Sequence, residues 1–150
     1  MNIATIQHVD AIFLLYQEII ETHANLEPEY FKKAEQSKEF IREMIESPDS
    51  DILLAYSKQL VVGFSMIKEV ETPAYPMMKN RKYAYILDLV VTQSNRGQGL
   101  GKELLNDSIA WQKMRQLEYI ELCVIEKNNH AKKMYESLGF KTFSRQMILK

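Results

Sequence analysis

At 150 residues, the chain has room for one ordinary domain, spanning 1–150, which removes about two-thirds of its unfolded surface from water and folds without disulfide or metal staples. An apolar fraction of 46% and a charged fraction of 26% are those of a soluble globular protein, and they exclude a disordered or low-complexity chain. With 19 Lys and Arg against 20 Asp and Glu, the net charge of -1 excludes a global attraction to nucleic acid or to an anionic membrane.

Asn2 to Ile6 is expected to form a short first strand. Val9, Ile12, Phe13, Tyr16 and Ile20 then recur at three- and four-residue spacing, the stripe of a helix packed on a core. The apolar run within it, Ala11 to Tyr16, is too short to span a bilayer and has no basic leader, so neither a membrane segment nor a secretion signal is expected there. Order is expected to lapse from Thr22 to Gln36, a stretch that holds Pro28. Phe40, Ile41, Met44 and Ile45 resume a helical stripe behind Ser37 as N-cap, and Pro48 helps to end it.

Ile52 to Tyr56 and Leu60 to Val70 are rich in β-branched and apolar residues and read as a hairpin closed by Ser57-Lys58-Gln59. Glu71 to Lys82, with Pro73, Pro76 and the cations Lys79, Arg81 and Lys82, reads as a surface loop. A solvated cluster is the default for those cations; attraction of an acidic acceptor or of phosphates is the alternative. Tyr83 to Val91 is the most apolar run of the chain, as a central strand covered on both faces requires. A glycine-rich turn follows, and then a long helix with Leu100, Leu104, Trp111 and Met114 on one side. Tyr119 to Val124 reads as a strand and Asn128 to Leu138 as a helix with Gly139 as its C-cap. Phe140 to Phe143 and Gln146 to Leu149 read as two short strands. The fold class is α/β, or α+β with a mixed sheet: a central sheet flanked by helices, with hairpins before and after a βαβα segment.

The turn Arg96-Gly97-Gln98-Gly99-Leu100-Gly101 sits where a strand ends and a helix begins. Helix N-termini present unpaired N–H groups and a partial positive charge, and glycine lets a phosphate approach the main chain without meeting a Cβ. The dinucleotide pattern G-x-G-x-x-G fails in both registers, at Lys102 and Leu104. The P-loop fails as well, with Arg96 where its first glycine belongs and Glu103 where Ser or Thr belongs. Taken alone, the glycines also fit a tight βα connection with no ligand.

Two spaced patterns narrow the reading. Arg96, Gly99 and Gly101 form R-x-x-G-x-G directly after Leu89-Val90-Val91, and Asn128, Ala131, Tyr135, Gly139 and Phe140 form N-x-x-A-x-x-x-Y-x-x-x-G-F downstream. Together they resemble the two cofactor-side motifs of the GNAT superfamily of acetyl-CoA-dependent N-acetyltransferases. The likeness in element order covers nearly the whole chain, and at residue level it is close from about Tyr83 to Phe140. The resemblance implies a GNAT-like fold with acetyl-CoA as co-substrate. It implies that Arg96, Gly97, Gln98, Gly99, Leu100 and Gly101 wrap the cofactor diphosphate with Lys102 beside them, that Asn128 bonds the cofactor arm, and that main-chain N–H groups around Leu89, Val90 and Val91 polarise the acetyl carbonyl. As an N-cap, Asn128 has a second role of purely local origin.

An attacking amine must be neutral, because an ammonium has no lone pair; its proton needs a base or a water chain, and the departing thiolate benefits from a donor. For the leaving group, the resemblance places the Tyr135 phenol near the cofactor sulfur. The helical stripe of Ala131, Met134, Tyr135 and Leu138 gives it a core-packing alternative. For the base, Asp88 is an acid within Ile86-Leu87-Asp88-Leu89-Val90, where burial raises a carboxyl pKa. Its place resembles that of acids in the same strand of related enzymes, although many of those carry a second carboxylate where this chain has Leu87. Glu121 in the next strand is the other candidate base, and either acid is alternatively ion-paired or facing solvent.

Cys123 reads as a small buried apolar residue before it reads as a nucleophile. As the only cysteine it cannot form an internal disulfide, which suits a reducing, cytoplasmic setting. His8, His23 and His130 lack metal-ligand spacing, so no metal is expected; His23 is a surface residue or a lining of the acceptor site. The expected activity is transfer of acetyl from acetyl-CoA to a primary amine of a small molecule, by direct attack in a ternary complex. The alternatives are a protein N-terminus or lysine as acceptor, or a non-catalytic acyl-CoA-binding module. No nucleic-acid or membrane partner is expected. Proteins that this one resembles are commonly dimers, which makes a homodimer the candidate assembly.

Overall fold

The computed structural model describes residues 1–149. Among them, five strands form one sheet in the spatial order β1 (Asn2–Ile3), β2 (Ser50–Ser57), β3 (Leu60–Glu71), β4 (Lys82–Val91) and β5 (Ile120–Leu122). The first four are antiparallel to their neighbours, whereas β4 and β5 run parallel. A parallel pair needs a crossover, and α3 (Leu100–Met114) provides it. The remaining helices are α1 (Val9–Leu26), α2 (Lys38–Glu46) and α4 (Asn129–Ser137).

Helix α1 continues past the expected lapse at Thr22 and stops at Leu26. The reason is Pro28: the residue before a proline is driven out of the helical region, and Glu27 has φ -136 and ψ 69. Helix α2 starts as expected, with the Ser37 hydroxyl accepting from Phe40 N–H at 3.2 Å. The β2–β3 loop is one residue tighter than expected, because Ser57 pairs with Leu60 and only Lys58 and Gln59 turn. Both are left-handed, at φ 48 and 67, the geometry that matches the twist of a two-residue hairpin.

Alternation along the strands divides the core between the two faces of the sheet. Ile52, Leu54, Phe64 and Met66 pack with Ile12, Tyr16 and Ile41 beneath α1 and α2. Leu53, Ala55, Ile67, Ala84 and Ile86 pack with Leu104, Leu105 and Trp111 beneath α3. Two polar contacts lock α3 in place: Trp111 Nε1 donates to Asp51 Oδ2 at 2.7 Å, and the buried hydroxyls of Ser65 and Ser108 meet at 3.0 Å. Met114 departs from its expected stripe and is exposed in the last turn of α3, while Leu105 and Ser108 fill the inner face.

The chain after α4 also differs from expectation. β5 keeps three residues of the six predicted, and neither Phe140–Phe143 nor Gln146–Leu149 is a strand. A strand without a ladder partner is not stable in water. Here Phe140 N–H turns back to the Tyr135 carbonyl at 3.2 Å, and Phe143 and Leu149 are left 94% and 98% exposed.

Candidate active site

The site begins with an irregularity in β4. Asp88 pairs with Met66 and Ile86 with Ile67, so Leu87 is an extra residue with no opposite number on β3. Such a bulge breaks the two-residue alternation. Before it, Ala84 and Ile86 face α3; after it, Leu89 and Val91 face α3, while Leu87 and Val90 face α1. Asp88 is therefore turned toward α1, where Tyr16 donates to its Oδ2 at 2.8 Å.

Beyond the bulge the sheet opens. The β4–β5 ladder runs from Ala84 and Ile120 to Ile86 and Leu122 and then stops, so the main chain from Leu87 to Val91 has no strand partner on that side. A cavity of about 1020 Å³ fills the gap. Its walls come from Leu87 to Val91 on β4, Leu122 to Ile125, the glycine turn, one face of α4, and Ile19, Thr22, His23 and Phe31 from the first part of the chain.

The three glycines of the turn serve different needs. Gly97 and Gly99 have φ 80 and 86, a region that residues with a Cβ avoid, and Gly99 is the N-cap of α3. Gly101 is helical, and a Cβ on it would lie 2.8 Å from Met134 Sδ, so here glycine lets the flexible Met134 side chain of α4 pack close to the helix. The first helical bond runs from Glu103 N–H to the Gly99 carbonyl at 3.0 Å. The N–H groups of Leu100, Gly101 and Lys102 lie ahead of it at the positive end of the helix dipole. Arg96 lines the cavity while its guanidinium is held by the Val91 carbonyl at 3.0 Å and by Glu18 at 3.5 Å. Glu18 also accepts from Thr92 Oγ1 and from Gln93 N–H, so one α1 carboxylate secures the whole strand-to-turn junction.

Electrostatically, the cavity has one acid. Burial raises the Asp88 carboxyl above the usual range, against the opposing pull of the Tyr16 hydrogen bond and of His23. Tyr16, 2% exposed, is held protonated far above its ordinary pKa by burial and by the Asp88 charge. Burial lowers His23, which keeps its imidazole neutral near pH 7. Tyr135 is pushed up to about 12 by burial and by Asp88, so its phenol remains a donor. Asn128 accepts from Ala131 N–H at 3.2 Å through its Oδ1, capping α4, and its NH₂ group is directed by that bond toward other partners.

Of the residues expected from sequence, Asp88, Leu89, Val90, Val91, Arg96, Gly97, Gly99, Leu100, Gly101, Lys102, Asn128 and Tyr135 all line this cavity. Gln98 and Glu121 do not. Gln98 is exposed, and Glu121 pairs across from Tyr85 on β5, outside the opening. Cys123 is exposed on the cavity wall and not buried, one residue past Leu122, where the strand ends. The cations of the Pro-rich loop are spent at the far end of β4, where Lys82 meets Glu69 at 2.8 Å and Glu71 at 3.3 Å and Arg81 meets Glu118 at 3.5 Å. Sequence reasoning missed Tyr16, Ile19 and Phe31. A phenol in an apolar helical stripe must find a buried acceptor, and Asp88 was the acid to match it with. Among the described residues no group of three His, Cys, Asp or Glu could hold a metal, and no helix is long and apolar enough to cross a membrane.

A model of the acetyltransferase (GNAT) family matches residues 16–140. Among solved structures, a mutant of the BH1408 protein from Bacillus halodurans is 28% identical with a TM-score of 0.94, over 99% of this chain and 97% of that one. The aminoglycoside N-acetyltransferase AAC(6')-Iy in complex with CoA is 13% identical with a TM-score of 0.75, over 99% and 96% of the two chains. The aminoglycoside acetyltransferase meta-AAC0020, from an uncultured soil metagenomic sample and in complex with sisomicin, is 17% identical with a TM-score of 0.70, over 99% and 95%. These structures share the mixed sheet and its flanking helices. No curated protein matches the sequence.

Proposed function

The chain belongs to the acetyltransferase (GNAT) family, and from that premise we propose that it transfers acetyl from acetyl-CoA to a primary amine of a small molecule within a ternary complex. The observation that carries this reading is the single cavity shared by the glycine turn, the Asp88 carboxylate and the Tyr135 phenol. Its residues fit a CoA thioester. The N–H groups of Leu100, Gly101 and Lys102 suit the diphosphate, the Lys102 and Lys133 ammoniums suit phosphate charge, and the Asn128 NH₂ suits an amide of the arm.

Acetyl-CoA supplies an acetyl group activated as a thioester. Asp88 takes one proton from the incoming ammonium, which frees the lone pair that forms the C–N bond. The unpaired N–H groups beyond Leu87 stabilise the oxyanion. As the C–S bond breaks, its electron pair leaves with sulfur, which takes the phenol proton of Tyr135. The second proton shed by nitrogen restores Tyr135, and Asp88 returns its proton to solvent. The balance is one N-acetylamine, one CoA thiol and one proton. We include a homodimer in the reading; the exposed Phe143, Met147, Ile148 and Leu149 offer an apolar strip for a second copy, and sedimentation equilibrium measures it.

The test is release of CoA thiol from acetyl-CoA with a panel of small amines, product mass identifying each adduct. Amine-dependent thiol release with a mass gain of one acetyl is expected. Turnover confined to peptide N-termini or lysines makes the acceptor a protein, and calorimetric binding of acetyl-CoA without turnover makes the chain a non-catalytic module.

A further inference from the structure

We propose that the acceptor is a monoamine with one apolar or aromatic substituent, held between the end of α1 and the bulged part of β4. The inference rests on the transferase reading above and names its acceptor.

The charge distribution of the cavity carries it. Asp88 is its single carboxylate, whereas Arg96, Lys102 and Lys133 place cations on the turn and on α4. With Oδ2 of Asp88 occupied by Tyr16, no described residue donates to Oδ1, so one ammonium has one free acceptor atom. A second ammonium on the same acceptor molecule would enter the cavity with no second carboxylate to meet it. An unpaired charge taken out of water costs several kcal/mol, so a polyamine or a polycationic sugar is rejected.

The rest of the lobe is mostly apolar, with Thr22 and His23 as its polar members. Ile19 and His23 line it from one face of α1, one turn beyond the buried Tyr16 that holds Asp88. Leu87 supplies the opposite wall through the bulge, and the Phe31 ring lies 5.2 Å from the His23 ring, closing the end. His23, neutral through burial, adds no charge. Such walls gain about 25 cal/mol for each Å² of apolar surface they cover, which favours a hydrocarbon or aryl group on the amine over a hydroxylated one. The lobe thus differs in chemistry from what an aminoglycoside presents, although two structures of the same fold are aminoglycoside acetyltransferases.

The experiment compares 2-phenylethylamine with spermidine and kanamycin as acceptors for the full chain, by thiol release at saturating acetyl-CoA, and measures binding of each amine to the free protein by calorimetry. Expected is a kcat/KM for 2-phenylethylamine at least tenfold above either polycation, with the same order in binding. In Phe31→Ala the KM for 2-phenylethylamine is expected to rise about fivefold to tenfold while that for n-propylamine changes less than twofold. Turnover of spermidine or kanamycin equal to or above that of 2-phenylethylamine overturns the inference and leaves the transferase reading standing. Failure of every amine despite bound acetyl-CoA overturns both.

Discussion

Tyr16→Phe isolates the hydrogen bond that holds the Asp88 carboxylate. The ring stays and only the hydroxyl is lost, the group that reaches Asp88 Oδ2 at 2.8 Å from a side chain 2% exposed. A hydrogen bond to an ionised group is worth about 1.5–3 kcal/mol, against about 0.5–1.5 kcal/mol between neutral partners. The bond therefore favours the ionised carboxyl, opposing the burial that raises its pKa. At about 1.36 kcal/mol per pH unit, losing the difference moves the Asp88 midpoint upward by about 1 pH unit. The sign for stability follows: the variant is weakened most above that midpoint, where Asp88 is charged and unaccompanied, and least below pH 4, where only a neutral bond is lost. Titration of the Asp88 carboxyl carbon by NMR in both proteins, with urea unfolding at pH 4.5 and pH 8, reads both effects. An unmoved or lowered midpoint in the variant refutes the assignment of Tyr16 as the residue that sets the charge on Asp88.

Asp88→Asn removes a carboxyl whose native pKa is raised by burial. The wild-type chain loses stability as pH rises through that raised value, so the variant's Tm relative to wild type should become more favourable from pH 4.5 to pH 8, while amine acetylation falls at least a hundredfold; a pH-independent Tm difference contradicts this. Gly99→Ala should cost about 1–2 kcal/mol through its positive φ alone, since open space surrounds the position. Gly101→Ala should be close to neutral, a helix-propensity gain of about 1 kcal/mol offsetting a push on the flexible Met134 side chain; thermal unfolding separates the two, and calorimetry should show weakened acetyl-CoA binding in both. Tyr135→Phe should lower kcat at least tenfold with the KM for acetyl-CoA changed less than twofold, and full activity in steady-state kinetics would return Tyr135 to simple packing beside Phe140.

The donor side of the site was legible in the sequence because its determinants are local. A left-handed glycine before a helix, an N-cap asparagine and a phenol one helix face further on are set by spacing within a few residues, and all of them line the cavity. The acceptor side depends on contacts across 50 to 72 residues of chain, as between Tyr16 and Met66 or Asp88. Periodicity assigned Tyr16 correctly to the core, but it cannot name the partner of its hydroxyl. Cys123 was misjudged because Leu122-Cys123-Val124 has the composition of a covered strand, whereas the strand ends at Leu122 and the thiol is exposed on the cavity wall. The two terminal strands failed for the same reason: strand propensity in Phe140 to Phe143 is real, yet a ladder also needs a neighbour.

Leu87 makes β4 a strand with a change of phase, and so places part of the site's information in a residue count. Up to Ile86 the even positions belong to the α3 core; after the bulge the odd ones do. Any side chain tolerated at 87 keeps that phase, and deleting the residue would keep it too, because Ile86 and Asp88 would then stand opposite Ile67 and Met66 in a regular ladder with Asp88 still on the α1 side. One codon removed there would instead take away the irregularity beyond which the sheet opens, leaving the acid of the cavity on its own face. Within β4 the facing of the acid and the break that opens the sheet are thus separable, the first set by the register with β3 and the second by the extra residue at 87.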